Sequence, residues 1–206
     1  MNRIITVSRE FGSGGRELGR RIAEALGFEY YDKEIIEQIA RHTSFSEDYV
    51  RQVVDGRYHR LFPITVNHSF FIGDYQTKLL QSVFQAQKKT LQELVELSDC
   101  VIVGRCADYL LRDYNPYRIF VYADLDVRVE RCMAFNDEAE QFSEQEIEKH
   151  IRRIDRQRAR YYREYTGQNW GDKEYYDLCV NTTQKNINDL VVPLSKMLES
   201  ALSAQA

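Results

Sequence analysis

Gly12, Gly14 and Gly15, with Ser13 among them, sit where chemistry on phosphates would need them. They follow a β-branched run, Ile4 to Val7, and precede a helical period at Leu18, Ile22 and Leu26. Glycine has no Cβ, so its backbone can wrap closely around an anion. A helix that follows aims unpaired N–H groups and the positive end of its dipole at the same place. Gly12, Ser13, Gly14, Gly15, Arg16 and Glu17 are therefore the candidate cradle. The competing reading is a tight strand-to-helix turn in which glycine only supplies positive φ. Short glycine motifs match often by chance, and the position after the first strand is what favours the cradle. Set on the pattern G-x-x-x-x-G-K-[ST] with Gly14 at the second glycine, Arg9 falls at the first, Gly15 at the lysine and Arg16 at the hydroxyl. Glu17 follows, so the loop offers neither the lysine nor a Ser or Thr to hold magnesium.

A second cluster lies between Ile151 and Arg163, where Arg152, Arg153, Arg156, Arg158, Arg160 and Arg163 accompany a single acid, Asp155. Arg152, Arg156, Arg160 and Arg163 recur on one helical face with Arg153 beside them, while Ile147, Ile151 and Ile154 mark the packed side. A solvated face laced by pairs such as Glu148 with Arg152, worth about 0.2–0.5 kcal/mol each, is one reading. The excess over local acids, and arginine in place of lysine throughout, favour bidentate capture of phosphate. An RNA-binding helix is a third reading, and the acidic remainder of the chain counts against it.

These side chains need a frame. Ile4–Val7, Cys100–Val103, Ile119–Tyr122 and Leu178–Asn181 are short, largely continuous apolar runs, and Phe28–Tyr31 is a weaker fifth. Helical periods lie between them, at Leu80, Phe84, Leu91 and Val95 and at Ile187, Leu190, Leu194 and Leu198. Strands alternating with helices predict an α/β fold with a parallel sheet, helices on both faces and ligands at the carboxyl ends of the strands. Ser143-Glu144-Gln145-Glu146 predicts a capping box and a helix to about Tyr165, and Ser44-Phe45-Ser46-Glu47 is a second candidate cap. Gly167 to Gly171 is a turn-rich break, and Ser200 to Ala206 are expected to fray.

At 206 residues the chain suits one domain, and its net charge of −4 argues against a nucleic-acid or anionic-membrane binder. Cys100, Cys106, Cys132 and Cys179 form no zinc-site spacing and are expected as reduced thiols, with Cys100 and Cys179 buried in strands. No leader or membrane span is legible, so a cytoplasmic location is expected, as monomer or homodimer.

Read together, Ser8-Arg9-Glu10-Phe11-Gly12-Ser13-Gly14-Gly15-Arg16-Glu17, Tyr30-Tyr31-Asp32-Lys33-Glu34-Ile35-Ile36 and Val103-Gly104-Arg105-Cys106-Ala107-Asp108 resemble the cytidylate-kinase-like family, a divergent branch of the P-loop nucleoside monophosphate kinases. Arg153-Ile154-Asp155-Arg156-Gln157-Arg158-Ala159-Arg160 looks like its lid, and Tyr176-Asp177-Leu178-Cys179-Val180-Asn181-Thr182 like its closing strand. The resemblance spans nearly the whole chain. It implies a three-layer P-loop NTPase fold with a central parallel five-stranded sheet, helices on both faces and a helical lid. Within a single domain over 1–206, it places an acceptor-side insertion at about 43–75 and the arginine lid at about 143–171. ATP would be the donor, Mg2+ its companion, and a pyrimidine nucleoside monophosphate of the CMP or dCMP type the acceptor. Gly12 to Glu17 would cradle the donor phosphates. Arg16, Arg153, Arg156, Arg158 and Arg160 would stabilise the transferring group, and Asp32, Arg105 and Asp108 would serve the acceptor.

The chain departs from authentic cytidylate kinases at three charges. The loop lysine is missing, an acceptor-site arginine falls on Gln38, and the acid before the Gly-Arg pair falls on Val103. Two further readings therefore stay open: a non-catalytic nucleotide-binding regulator of the same fold, and a kinase of a non-nucleotide small acceptor. Gly56 to Gly73, with Arg57, His59, Arg60 and His68, matches no motif and is the candidate acceptor lid.

Overall fold

The structure is a computed structural model that describes residues 2–32, 34–43, 45–55, 71–134 and 142–204. Five strands, β1 (Ile4–Arg9), β2 (Glu29–Tyr31), β3 (Cys100–Val103), β4 (Tyr117–Tyr122) and β5 (Leu178–Asn181), pair in the order β2-β3-β1-β4-β5. Every pairing is parallel, with Val7 of β1 opposite both Val103 and Ile119. Parallel neighbours need crossovers, and the helices supply them. They are α1 (Gly15–Leu26), α2 (Glu34–Arg41), α3 (Glu47–Val54), α4 (Phe71–Leu97), α5 (Ala107–Leu110), α6 (Leu125–Ala134), α7 (Glu144–Thr166) and α8 (Ile187–Ser203).

Strand alternation sorts the core into two layers. Ile4, Cys100 and Ile102 pack with Ile36 of α2, Val53 of α3 and Leu91 of α4. Ile5, Val7, Val101, Val103 and Val121 pack on the other face with Leu18 and Ile22 of α1 and Leu198 of α8. The sheet is thus covered on both sides, which is why β1 and β3 read as continuous apolar runs.

The expectation fails for β5. Only Val180 is buried there, and Cys179 is exposed, because β5 is an edge strand of the sheet. The expected fraying from Ser200 is also corrected: α8 continues to Ser203, and Leu202 is buried against the α1 layer.

The predicted cap at α7 forms, and α3 is capped by Ser46 within the Ser44–Glu47 stretch. Ser46 accepts from the Tyr49 amide, and Ser143 and Glu146 satisfy each other's backbone N–H groups as a capping box. α7 ends one residue beyond the predicted Tyr165, where Gly167 turns the chain at φ 73°. Arg57, His59, Arg60 and His68 of the candidate acceptor lid lie outside the described residues, as does Ser44.

Candidate active site

The glycine loop leaves the carboxyl end of β1 at the centre of the sheet. Gly12 and Gly14 take φ of 77° and 78°, a region that costs an L side chain, so the loop's curvature is written in its glycines. Ser13 braces the inside of the turn: its buried hydroxyl donates to the Glu10 carbonyl at 2.9 Å and accepts from the Gly15 amide at 3.3 Å. The first intrahelical bond of α1 runs from the Leu18 amide to the Gly14 carbonyl at 2.9 Å. The amides of Arg16 and Glu17 therefore precede the helical ladder, as the first N–H groups of any helix do. Gly12, Gly14, Gly15, Arg16 and Glu17 all line a cavity of about 750 Å³ at that helix end.

Among the further arginines at this cavity are Arg9 at the end of β1, Arg105 just after β3, and Arg158 from α7. Arg158 Nη1 donates to the Arg9 carbonyl at 3.0 Å. Arg105 Nη1 lies 2.5 Å from Asp55 Oδ1, while its buried Nε has no hydrogen-bond partner among the described residues. Arg16 Nε is 2.5 Å from Asp32 Oδ2, and Arg9 Nη2 is 3.8 Å from the other oxygen of that carboxylate. Burial, with Arg158 and Arg105 close by, pushes the Arg9 guanidinium down to about 9. Arg158 is also pushed down, by burial first. Like charges gathered in a partly buried cleft raise each other's energy, and an anion between them would lower it.

The cavity is cationic in an acidic chain: Arg9, Arg16, Arg51, Arg105, Arg131, Arg158 and Lys185 outnumber Glu10, Glu17, Asp32 and Asp55. Backbone strain helps to aim one of them. Gly104, Arg105 and Cys106 have consecutive φ of 75°, 62° and 51°, and conformations of this kind cost of order 1–3 kcal/mol for a side-chain-bearing residue. Gln87 holds the turn by donating to the Arg105 carbonyl at 2.5 Å.

α7 is pinned over the loop by Asp155. Its carboxylate accepts from the Phe11 amide at 2.8 Å, lies 2.5 Å from Arg128 Nη1 and 3.7 Å from Arg158 Nη1. Arg158 reaches the cavity because it follows Ile151, Ile154 and Asp155 along the inward stripe that continues to Tyr161 and Tyr162. Arg156 and Arg160 are exposed and are not among the cavity's lining residues. Arg153 lines a neighbouring hollow with Phe11, Phe142 and His150. Of the four lid arginines expected at the reacting group, Arg158 alone is among the cavity's lining residues.

Asp32 and Arg105 lie at the cavity as expected. Asp108 does not: it is buried behind it, where its Oδ2 accepts from the Tyr162 hydroxyl at 2.6 Å, and burial raises its carboxyl above the ordinary range. Sequence reasoning misses Arg9 as a lining group, although Arg9 stands at the first glycine of the motif. It also misses Asp55, Arg131 and Lys185, which carry no motif. Arg131 ties α6 to the loop and to the end of β5, donating to the Ser13 carbonyl at 3.1 Å and the Thr182 carbonyl at 2.7 Å.

Magnesium finds no ligand set in the described residues. No group of three His, Cys, Asp or Glu side chains could hold a metal, Asp32 and Asp55 are engaged by arginines, and the Ser13 hydroxyl turns inward. Among the described residues, then, no three-ligand side-chain site for magnesium is formed.

The sequence model of the cytidylate kinase-like family matches residues 4–184. The cytidylate kinase of Natronomonas pharaonis is 25% identical over 203 residues, covering 98% of this chain and 91% of that protein. Among solved structures, an uncharacterised protein from Eubacterium ventriosum superposes with a TM-score of 0.68 at 23% identity, covering 96% of this chain and 99% of the other. The shikimate kinase from Acinetobacter baumannii, solved with shikimate, gives 0.53 at 16% identity over 98% of this chain and 95% of its own, a likeness of fold. Among the described residues, no helix is long and apolar enough to cross a membrane.

Proposed function

This chain belongs to the cytidylate kinase-like family, and from that premise we propose that it moves the γ-phosphoryl group of ATP to a nucleoside monophosphate of the CMP or dCMP type. Membership supports a phosphotransferase, and the nucleotide acceptor is part of the proposal. The observation that carries it is the convergence of the helix-start amides at Arg16 and Glu17 with the guanidinium groups of Arg9, Arg105 and Arg158 on one cavity.

In the proposed step an oxygen of the acceptor phosphate forms a bond to the γ-phosphorus in line with the departing bridge oxygen. The bond between that oxygen and the γ-phosphorus breaks, and ADP leaves with the electron pair. A phosphate acceptor is ionised at neutral pH, so no proton has to be removed. The chain's task is then to position the two nucleotides and neutralise charge on the equatorial oxygens. Gly12 to Glu17 hold the donor phosphates, Arg16 and Arg158 face the transferring group, and Arg105 with Asp32 receives the acceptor. No step is assigned to magnesium.

The test is ADP release with ATP and magnesium across CMP, dCMP, UMP, AMP and non-nucleotide acceptors such as shikimate. The proposal expects release above background with CMP or dCMP. Release only with another acceptor refutes the acceptor, and ATP binding by calorimetry without release under any condition refutes the enzyme in favour of a nucleotide-binding regulator.

A further inference from the structure

We propose that Arg9 supplies the phosphate-binding charge that a lysine at position 15 would supply, and that Arg9, Gly15 and Gly104 form one steric unit built around its side chain. The inference rests on the phosphotransferase reading of this site and deepens it.

The argument begins with space. Gly15 is not among the positive-φ glycines, so its backbone does not demand glycine; its surroundings do. A Cβ at Gly15 would lie 2.6 Å from the Arg9 Cβ, 3.2 Å from its Cγ and 2.9 Å from the Val121 Cβ. At the other end of the same side chain, a Cβ at Gly104 would lie 1.9 Å from Arg9 Nη1 and 3.0 Å from its Cζ. The arginine stem thus runs over the position where the motif has lysine, and its head fills the space beside Gly104. A lysine at 15 and an arginine at 9 exclude each other. The two departures from the G-x-x-x-x-G-K-[ST] pattern, Arg9 at the first glycine and Gly15 at the lysine, are one change seen twice.

Charge points the same way. The Arg9 side chain is 15% exposed, and Asp32, its carboxylate partner at 3.8 Å, is held at 2.5 Å by Arg16. Arg158 and Arg105 add positive charge against it, so Arg9 sits in a largely buried, cationic setting whose carboxylate, Asp32, is shared with Arg16. A polyphosphate resting on the amides at Arg16 and Glu17 would bring anionic oxygens into the same cavity. Arginine in this role offers two donor nitrogens where lysine offers a point charge.

Four proteins decide the matter: wild type, Arg9→Ala, Gly15→Lys, and Arg9→Gly with Gly15→Lys. Each is checked by thermal melting, then assayed for inorganic tripolyphosphate binding by calorimetry and for ADP release with ATP and CMP. We expect Arg9→Ala to weaken tripolyphosphate binding at least ~10-fold and to lower kcat on the order of 10²–10³, the usual effect of deleting one donor to a developing anion. Gly15→Lys alone should lose stability or binding, because its stem collides with Arg9 and Val121. The double variant removes the Arg9 contacts and returns the cation to position 15, leaving the Val121 Cβ at 2.9 Å to give way; it should exceed Gly15→Lys alone at least ~10-fold in both readouts, a rescue that a merely structural role would not produce.

Wild-type binding and turnover in Arg9→Ala would overturn the inference. So would a double variant that melts like wild type yet recovers neither readout. Absence of ADP release by wild type with every acceptor would refute the proposed function instead, and the tripolyphosphate titration would still decide the role of Arg9.

Discussion

Asp155→Asn should loosen the lid without distorting it. Asparagine keeps an oxygen to accept from the Phe11 amide, now 2.8 Å from Oδ1, but removes the charge that faces Arg128 at 2.5 Å and Arg158 at 3.7 Å. The Arg128 and Asp155 side chains are 10% and 16% exposed, so solvent does little to replace the lost partner. Breaking a buried ion pair by removing one member costs about 3–5 kcal/mol. Glu10 remains 3.6 Å from Arg128, and the Phe11 carbonyl still accepts from it at 3.3 Å, which lowers the expected loss to about 2–3 kcal/mol. For a chain of this length each kcal/mol moves the melting temperature by about 2–4 °C, so thermal melting should fall by about 4–12 °C. Glu148→Gln is the control: its pair with Arg152, at 2.7 Å, joins side chains about half exposed and should move the melt by less than about 2 °C. An Asp155→Asn protein melting within about 1 °C of wild type would refute the view that this carboxylate clamps α7 to the loop.

Removing the capping hydroxyl with Ser143→Ala should cost about 1 kcal/mol, seen as a melt lower by about 2–4 °C with ADP release unchanged; an unaltered melt would show that the box adds nothing. Asp108, whose carboxyl is raised by burial, favours the folded state when protonated, so its contribution is full below the ordinary carboxylate range and is lost as pH rises through the higher folded value. Asp108→Asn, which keeps an acceptor for the Tyr162 hydroxyl, should therefore melt higher than wild type at neutral pH, with the gap closing as the solution is made acidic; a gap that widens in acid would reverse the assignment. Tripolyphosphate at about 100 times its dissociation constant should stabilise the protein by about 2.7 kcal/mol, a rise of about 5–10 °C, and the same concentration should act less on Arg158→Ala; equal shifts would remove Arg158 from the anion site.

Much of the fold was legible because local signals and burial agree. β1 and β3 are sandwiched between helix layers, so their apolar runs are continuous, and Ser143 with Glu146 announces α7 in four residues. Cys179 was misplaced because an apolar run does not say whether a strand is central or at an edge. The loop residues from Gly12 to Glu17 were found from glycine spacing, since the curvature of that turn depends on φ values that only glycine takes easily. The lid was harder. Arginine spacing picks out the polar face of α7, whereas the arginine at the cavity, Arg158, lies on the packed stripe four residues beyond Ile154. Extending the isoleucine period instead of the arginine period would have found it. Asp55 and Arg131 come from distant elements and meet the loop only through the fold, so no spacing reveals them.

The central claim is that one cavity gathers a polyphosphate between the start of α1 and three guanidinium groups. A crystal structure with a non-hydrolysable ATP analogue and CMP tests it most directly. The account predicts β- and γ-phosphate oxygens within hydrogen-bond distance of the Arg16 and Glu17 amides, with Arg9, Arg105 and Arg158 touching the phosphates of the two ligands. Phosphates seated elsewhere, with Arg9 still against Asp32 and the glycine loop bare, would contradict it.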